Sequence, residues 1–86
     1  MNAIENGALA FDGPAVYRIQ VHGEIPSRLS ARLEGMSIEV DASASPPLTT
    51  LTGNLQDQAS LAGVLRTLYE MHLPVLSVEY LNAGRV

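Results

Sequence analysis

The sequence predicts an α+β fold with the element order β-α-β-β-α-β. Three observations predict it. Three segments alternate apolar and polar residues with a period of two, and a fourth is rich in threonine, as half-buried strands are. One long segment, Ala59–Met71, repeats apolar residues at helical spacing. The chain has 86 residues, which allows one domain and no more. That domain is expected over residues 15–81. Residues 1–14, with Asn2, Asn6, Gly7, Gly13 and Pro14, read as a flexible N-terminal arm, and 82–86 as a C-terminal tail.

Val16–His22 is the first strand, with Tyr17, Ile19 and Val21 on one face and Val16, Arg18, Gln20 and His22 on the other. Gly23 ends it. Pro26 suits the first turn of a helix, where its missing N–H costs nothing. Ile25, Leu29 and Leu33 then share one face of a short first helix, and Gly35 stops it. Met36–Asp41 alternates again, pointing Met36, Ile38 and Val40 inward. Ala42–Pro47 is a loop, and Leu48–Gly53 a third strand with Thr49, Leu51 and Gly53 inward.

Asp57 can cap a second helix by accepting from its orphan N–H groups. The apolar stripe of that helix comprises Ala59, Leu61, Ala62, Val64, Leu65, Leu68, Tyr69 and Met71. Gly63 interrupts it at a cost of about 1 kcal/mol against alanine, which a close approach of helix to sheet would explain. Pro74 blocks continuation. Val75–Leu81 is the fourth strand, with Leu76, Val78 and Tyr80 inward. This order is the ferredoxin-like arrangement. Right-handed crossovers place two helices on one face of a four-stranded antiparallel sheet. The first and third strands are central, with the fourth beside the first and the second beside the third.

Composition narrows the function classes. Nine acidic residues face five basic ones, all arginine, for a net charge of −4. Arginines at 18, 28, 32, 66 and 85 form no basic patch, so nucleic acid is not an expected partner. No apolar run approaches the ~20 residues that span a bilayer, and the N-terminal residues lack the positive region of a signal peptide. A cytoplasmic, membrane-free protein is expected. With no cysteine there is neither a disulfide framework nor a thiolate zinc site. Two isolated histidines without paired carboxylates give no metal-ligand pattern, and no cofactor motif is present. A domain this small is marginal alone. Its low charge fits a surface covered by a second copy, because interface centres are poor in charge.

The sheet face away from the helices carries the candidate site. Arg18, Gln20, His22, Ser77 and Glu79 belong to it, and antiparallel pairing of the first and fourth strands sets Arg18 near Glu79. His22 is the candidate proton shuttle, since histidine titrates near neutrality, with Glu79 or Glu24 to orient it; it would lie near Ser77 or Val75. Arg18, Gln20, Ser77 and Tyr17 are the candidate ligand-binding residues. Each has a structural alternative: a solvent-facing strand end for His22 and a wetted sheet for the rest. Stacking of nucleic-acid bases needs aromatic residues on this face, and Arg18, Gln20, Thr50 and Thr52 occupy those positions.

The segments Tyr17-Arg18-Ile19-x-Val21-x-Gly23, Asp57-Gln58-Ala59-x-Leu61-x-Gly63-x-Leu65 and Leu73-Pro74-x-Leu76-Ser77-Val78 carry a resemblance. So do Leu33-x-Gly35-Met36-x-Ile38 and Leu51-Thr52-Gly53. Over residues 17–80 the chain resembles a group of small, uncharacterised bacterial proteins. The resemblance implies a compact ferredoxin-like domain and transfers no activity. Many such proteins carry a histidine before the helix glycine, where this chain has Ala62, and a proline where it has Asn54. Two functions then compete. One is a small homodimeric module that binds a small molecule or modulates a partner protein. The other is a cofactor-independent enzyme, an isomerase, cyclase or oxygenase, with its site on the open sheet face between subunits.

Overall fold

The computed structural model describes residues 13–83. Most of the expected N-terminal arm and residues 84–86 therefore lie outside the described residues. Four strands form a single antiparallel sheet: β1 (Ala15–His22), β2 (Ser37–Asp41), β3 (Leu48–Leu55) and β4 (Val75–Ala83). Their spatial order is β2-β3-β1-β4. β1 and β3 are central, and the buried residues of the sheet come from these two strands. Ala15, Tyr17, Ile19 and Val21 are buried from β1, and Thr49, Leu51 and Leu55 from β3. Side chains of alternate residues share a face, so one row of each strand enters the core and the next faces away. β4 runs through Ala83, two residues beyond the strand end read from the sequence.

The first helix is a correction. The segment Ser27–Leu33 winds as a 3₁₀ helix, not an α-helix. A 3₁₀ helix rises about 2.0 Å per residue against about 1.5 Å in an α-helix, so seven residues reach further across the sheet. Ile25, Leu33 and Met36 anchor the segment in the core, and Leu29 packs beside them. The Ser30 hydroxyl donates to the Met36 carbonyl at 2.7 Å, drawing the segment's end onto the start of β2. Glu34 and Gly35 both take left-handed backbone angles, φ 58° and 76°, to make that turn.

The α-helix α1 (Gln58–Glu70) starts as expected. The Asp57 carboxylate accepts from the Ser60 N–H at 2.8 Å. Val64 and Leu68 are fully buried, with Leu61, Leu65 and Met71 packed against the core. Two expectations fail on its outer side. Tyr69 is 78% exposed, because it falls outside the arc that Val64 and Leu68 define. A Cβ added at Gly63 would meet nothing within 4 Å, so no close approach to the sheet explains that glycine. The close approach is at Gly53 instead, where a Cβ would stand 3.0 Å from the Met36 Cα.

β4 departs furthest from its expected burial. Val78 and Tyr80 lie opposite Ile19 and Tyr17 on the helix-side face, yet they are 42% and 45% exposed. No described element covers that edge. Two irregularities interrupt its pairing with β1, and they leave Leu76 and Leu81 without register partners. Such bulges twist and bend an edge strand. Both extra leucines are exposed, as is Val75. At the opposite edge Val40, also expected inward, is exposed too.

Candidate functional site on the polar sheet face

Strand register assembles the sheet face opposite α1 into rows. Glu79, Arg18, Thr52 and Ser37 lie side by side across the four strands. The next row holds Ser77, Gln20, Thr50 and Glu39. A third sets His22 beside Leu48 and Asp41. These positions are adjacent because in this register β1 and β3 turn their even-numbered residues, and β2 and β4 the odd-numbered Ser37, Glu39, Asp41, Ser77 and Glu79, to the same side.

The rows are internally bonded. Arg18 Nε donates to Glu79 Oε1 at 2.8 Å, with both side chains a little under half exposed. In that setting the ion pair contributes under about 1 kcal/mol; its use is to fix the orientation of both groups. Gln20 Nε2 donates to Thr50 Oγ1 at 3.3 Å, and Ser77 Oγ makes a longer contact of 3.5 Å to Gln20 Oε1. Ser37 Oγ donates to the Thr52 carbonyl at 3.1 Å. Arg18, Gln20, Ser77 and Glu79 are thus brought together as the sequence predicts.

Two expected site residues are not. Tyr17 faces the core and is nearly fully buried. Its hydroxyl accepts from Gln58 Nε2 at 2.8 Å, and its ring meets Tyr80 edge-on with centroids 5.8 Å apart. It therefore lies across the sheet from Arg18 and Gln20. His22 is separated from Glu79 as well. Glu79 stands opposite Arg18, four residues back along β1, a distance of about 13 Å at ~3.3 Å per residue. The backbone N–H of His22 donates to the Pro74 carbonyl at 3.0 Å, so His22 sits beside Pro74 and not Ser77 or Val75. The bulge at Leu76 shifts that end of β4 by one residue.

Thr50, placed on this face by the sequence but given no role there, and Gln58, given none, complete these networks. The β1–β3 register sets Thr50 directly opposite Gln20. Gln58 had no signal in the sequence beyond its place in the first turn of α1. Among the described residues no group of three or more His, Cys, Asp or Glu side chains is placed to hold a metal ion. No helix among them is long and apolar enough to cross a membrane.

A family described as a domain of unknown function, DUF8691, matches residues 16–79, from the second residue of β1 into the middle of β4. The chain belongs to the DUF8691 family. No curated protein and no solved structure matches it. All the bonded polar rows of this DUF8691 domain fall within the matched span. Tyr80 and the exposed Leu81 fall just beyond it. The match thus takes in the three polar rows together with most of the core of the sheet.

Proposed function

We propose that this DUF8691 domain is a small cytoplasmic interaction module that acts as a homodimer. Its polar sheet face serves as the surface offered to a small molecule or a partner protein. The observation that carries the reading is the exposed apolar character of β4. Val75, Leu76, Val78, Tyr80 and Leu81 are all exposed on one strand, and the strand's single charge, Glu79, is already paired with Arg18. Contiguous exposed apolar surface of this kind marks interaction sites. The order β2-β3-β1-β4 and the antiparallel pairing support a ferredoxin-like reading of the fold, with its first helix reduced to a 3₁₀ segment.

The enzyme reading is less well supported. A general acid–base pair needs its members within hydrogen-bond reach or one water apart, and His22 and Glu79 are farther apart than that. The glutamate is also engaged by Arg18. Size-exclusion chromatography with light scattering at micromolar concentration tests the dimer. A mass of two chains is expected, and a single-chain mass across the concentration range would sink the proposal. A thermal-shift screen of metabolites against wild type and Gln20→Ala tests the polar face. Stabilisation by a ligand that the variant loses is expected; a ligand that stabilises both equally binds elsewhere.

A further inference from the structure

We propose that β2 is a docking edge for an extended segment of a different protein, one that alternates basic and apolar residues. The segment lies antiparallel along β2 and is held by β-strand addition. The inference goes beyond the homodimer and the polar-face ligand, and holds whether or not either is found. Among the described residues β2 pairs with β3 alone. In an antiparallel edge strand, alternate residues turn their N–H and C=O groups outward, and an incoming strand can complete them. Register with β3 is unbroken over all five residues, Ser37–Asp41, so no bulge spoils the edge for pairing.

The side chains of β2 specify the chemistry of the occupant. Glu39 and Asp41 share the polar face, and Ile38 and Val40 the helix side. Glu39 has no hydrogen-bond or ion-pair partner among the described residues. The Asp41 carboxylate bonds only within its own turn, to Ser43. Val40 is exposed, and Ile38 is only partly buried. An antiparallel segment therefore sets a basic residue opposite Asp41, an apolar one opposite Val40, a basic one opposite Glu39 and an apolar one opposite Ile38. Opposite charges and apolar pairs facing each other across strands both favour pairing.

The same charges exclude a second copy. A second β2 laid antiparallel with its centre at Glu39 opposes two carboxylates, and with its centre at Val40 it opposes Glu39 to Asp41. A centre at Ile38 carries the pairing into Gly35, whose left-handed φ of 76° ends the extended run. No other segment of the chain fits, because its arginines and histidines never stand two residues apart. The occupant is therefore a different protein.

Fluorescence anisotropy with a labelled peptide, Thr-Arg-Val-Arg-Val-Thr, tests the pairing. Thr-Val-Arg-Arg-Val-Thr keeps its composition and breaks the alternation, and Thr-Glu-Val-Glu-Val-Thr reverses its charge. The first peptide should bind, and both others at least roughly tenfold more weakly. Glu39→Arg should weaken the first peptide by a similar factor and Glu39→Gln by less, whereas Gln20→Ala leaves it unchanged. Circular dichroism checks that each variant keeps its fold. In nitrogen–proton correlation spectra, peptide-induced shifts should concentrate on the amides of residues 37–41. Equal binding of the two arginine peptides would reduce the effect to general attraction by an acidic protein and overturn the proposal. So would affinity unchanged by Glu39→Arg. Shifts centred on β1 and β4 would place the peptide on the polar face, which overturns the edge while supporting the reading above. If no peptide binds, the charges of β2 serve only to keep copies apart, and the proposal falls.

Discussion

The side-chain amide of Gln58 donates to the hydroxyl of Tyr17 at 2.8 Å, tying the first turn of α1 to the central strand. The bond joins residues 41 apart in sequence. It satisfies the one polar atom of a ring otherwise sunk in the core. Replacing Tyr17 by Phe leaves the ring and removes the acceptor. Urea denaturation should show Tyr17→Phe less stable by about 1 kcal/mol, and the Gln58→Ala, Tyr17→Phe double variant little worse than either alone. Additive losses would mean the two side chains stabilise independently. Because Tyr17 lies across the sheet from Arg18, ligand affinity at the polar face should not change.

Gly63 is a helix residue in open space. With nothing within 4 Å of a built Cβ, Gly63→Ala meets no clash and regains helix propensity. Urea unfolding should move toward higher stability by about 1 kcal/mol. A loss of stability would show that the glycine faces something the isolated chain lacks, and light scattering on the variant would then report whether that something is a second copy.

α1 ends in a six-residue closure with a histidine in the left-handed position. The His72 N–H donates to the Tyr69 carbonyl at 3.0 Å and the Leu73 N–H to the Leu68 carbonyl at 3.2 Å. That pair of bonds defines a Schellman motif. His72 has φ 60°, a conformation glycine adopts without cost and other L-residues adopt at about 1 kcal/mol. His72→Gly should therefore raise the thermal midpoint and His72→Val lower it. Equal midpoints for the two variants would remove the backbone argument. Its backbone angle is what the helix end requires of this position.

Asp41 makes the acid side of the stability curve testable. Its carboxyl lies below the ordinary value of 3.8, first because the Ser43 hydroxyl donates to it and then because the Ser43 backbone N–H does. A carboxyl depressed in the folded state contributes stability that is full above its unfolded value. That contribution is lost as pH falls through the lower folded value. Wild type should therefore exceed Asp41→Asn in urea midpoint by a constant margin above about pH 4, and the margin should shrink on further acidification. Parallel midpoints down through that window would show the turn indifferent to the charge.

What the sequence made legible follows from what periodicity encodes. Alternation in Val16–His22 states which side chains share a face, and antiparallel order then places Arg18 beside Glu79, as found. Asp57 was legible as a cap because a carboxylate before a helical stripe has one local use. Periodicity does not state whether a face is covered. Tyr80 and Val78 point to the helix side and remain exposed because no described element reaches over β4. The bulges did leave a trace: Val75-Leu76 and Tyr80-Leu81 are adjacent apolar pairs that break the period of two where register is lost. The 3₁₀ winding of Ser27–Leu33 left none, since Leu29 and Leu33 suit either helix. Within the candidate site, Tyr17 was grouped with Arg18 by type of side chain and lies on the other face, while His22 shares the face of Arg18 but lies a row beyond Ser77 and two beyond Glu79.

β1 is the first described strand in the chain and sits in the middle of the sheet, between β3 and β4. Its neighbours are made later: the Arg18–Glu79 pair spans 61 residues. No hairpin joins the central pair, so every pairing of β1 must close a long loop before any reward is gained. During synthesis β1 emerges before both of its partners, so Ile19 and Val21 stay uncovered until β3 and then β4 follow, and that interval is when a chaperone has most to hold.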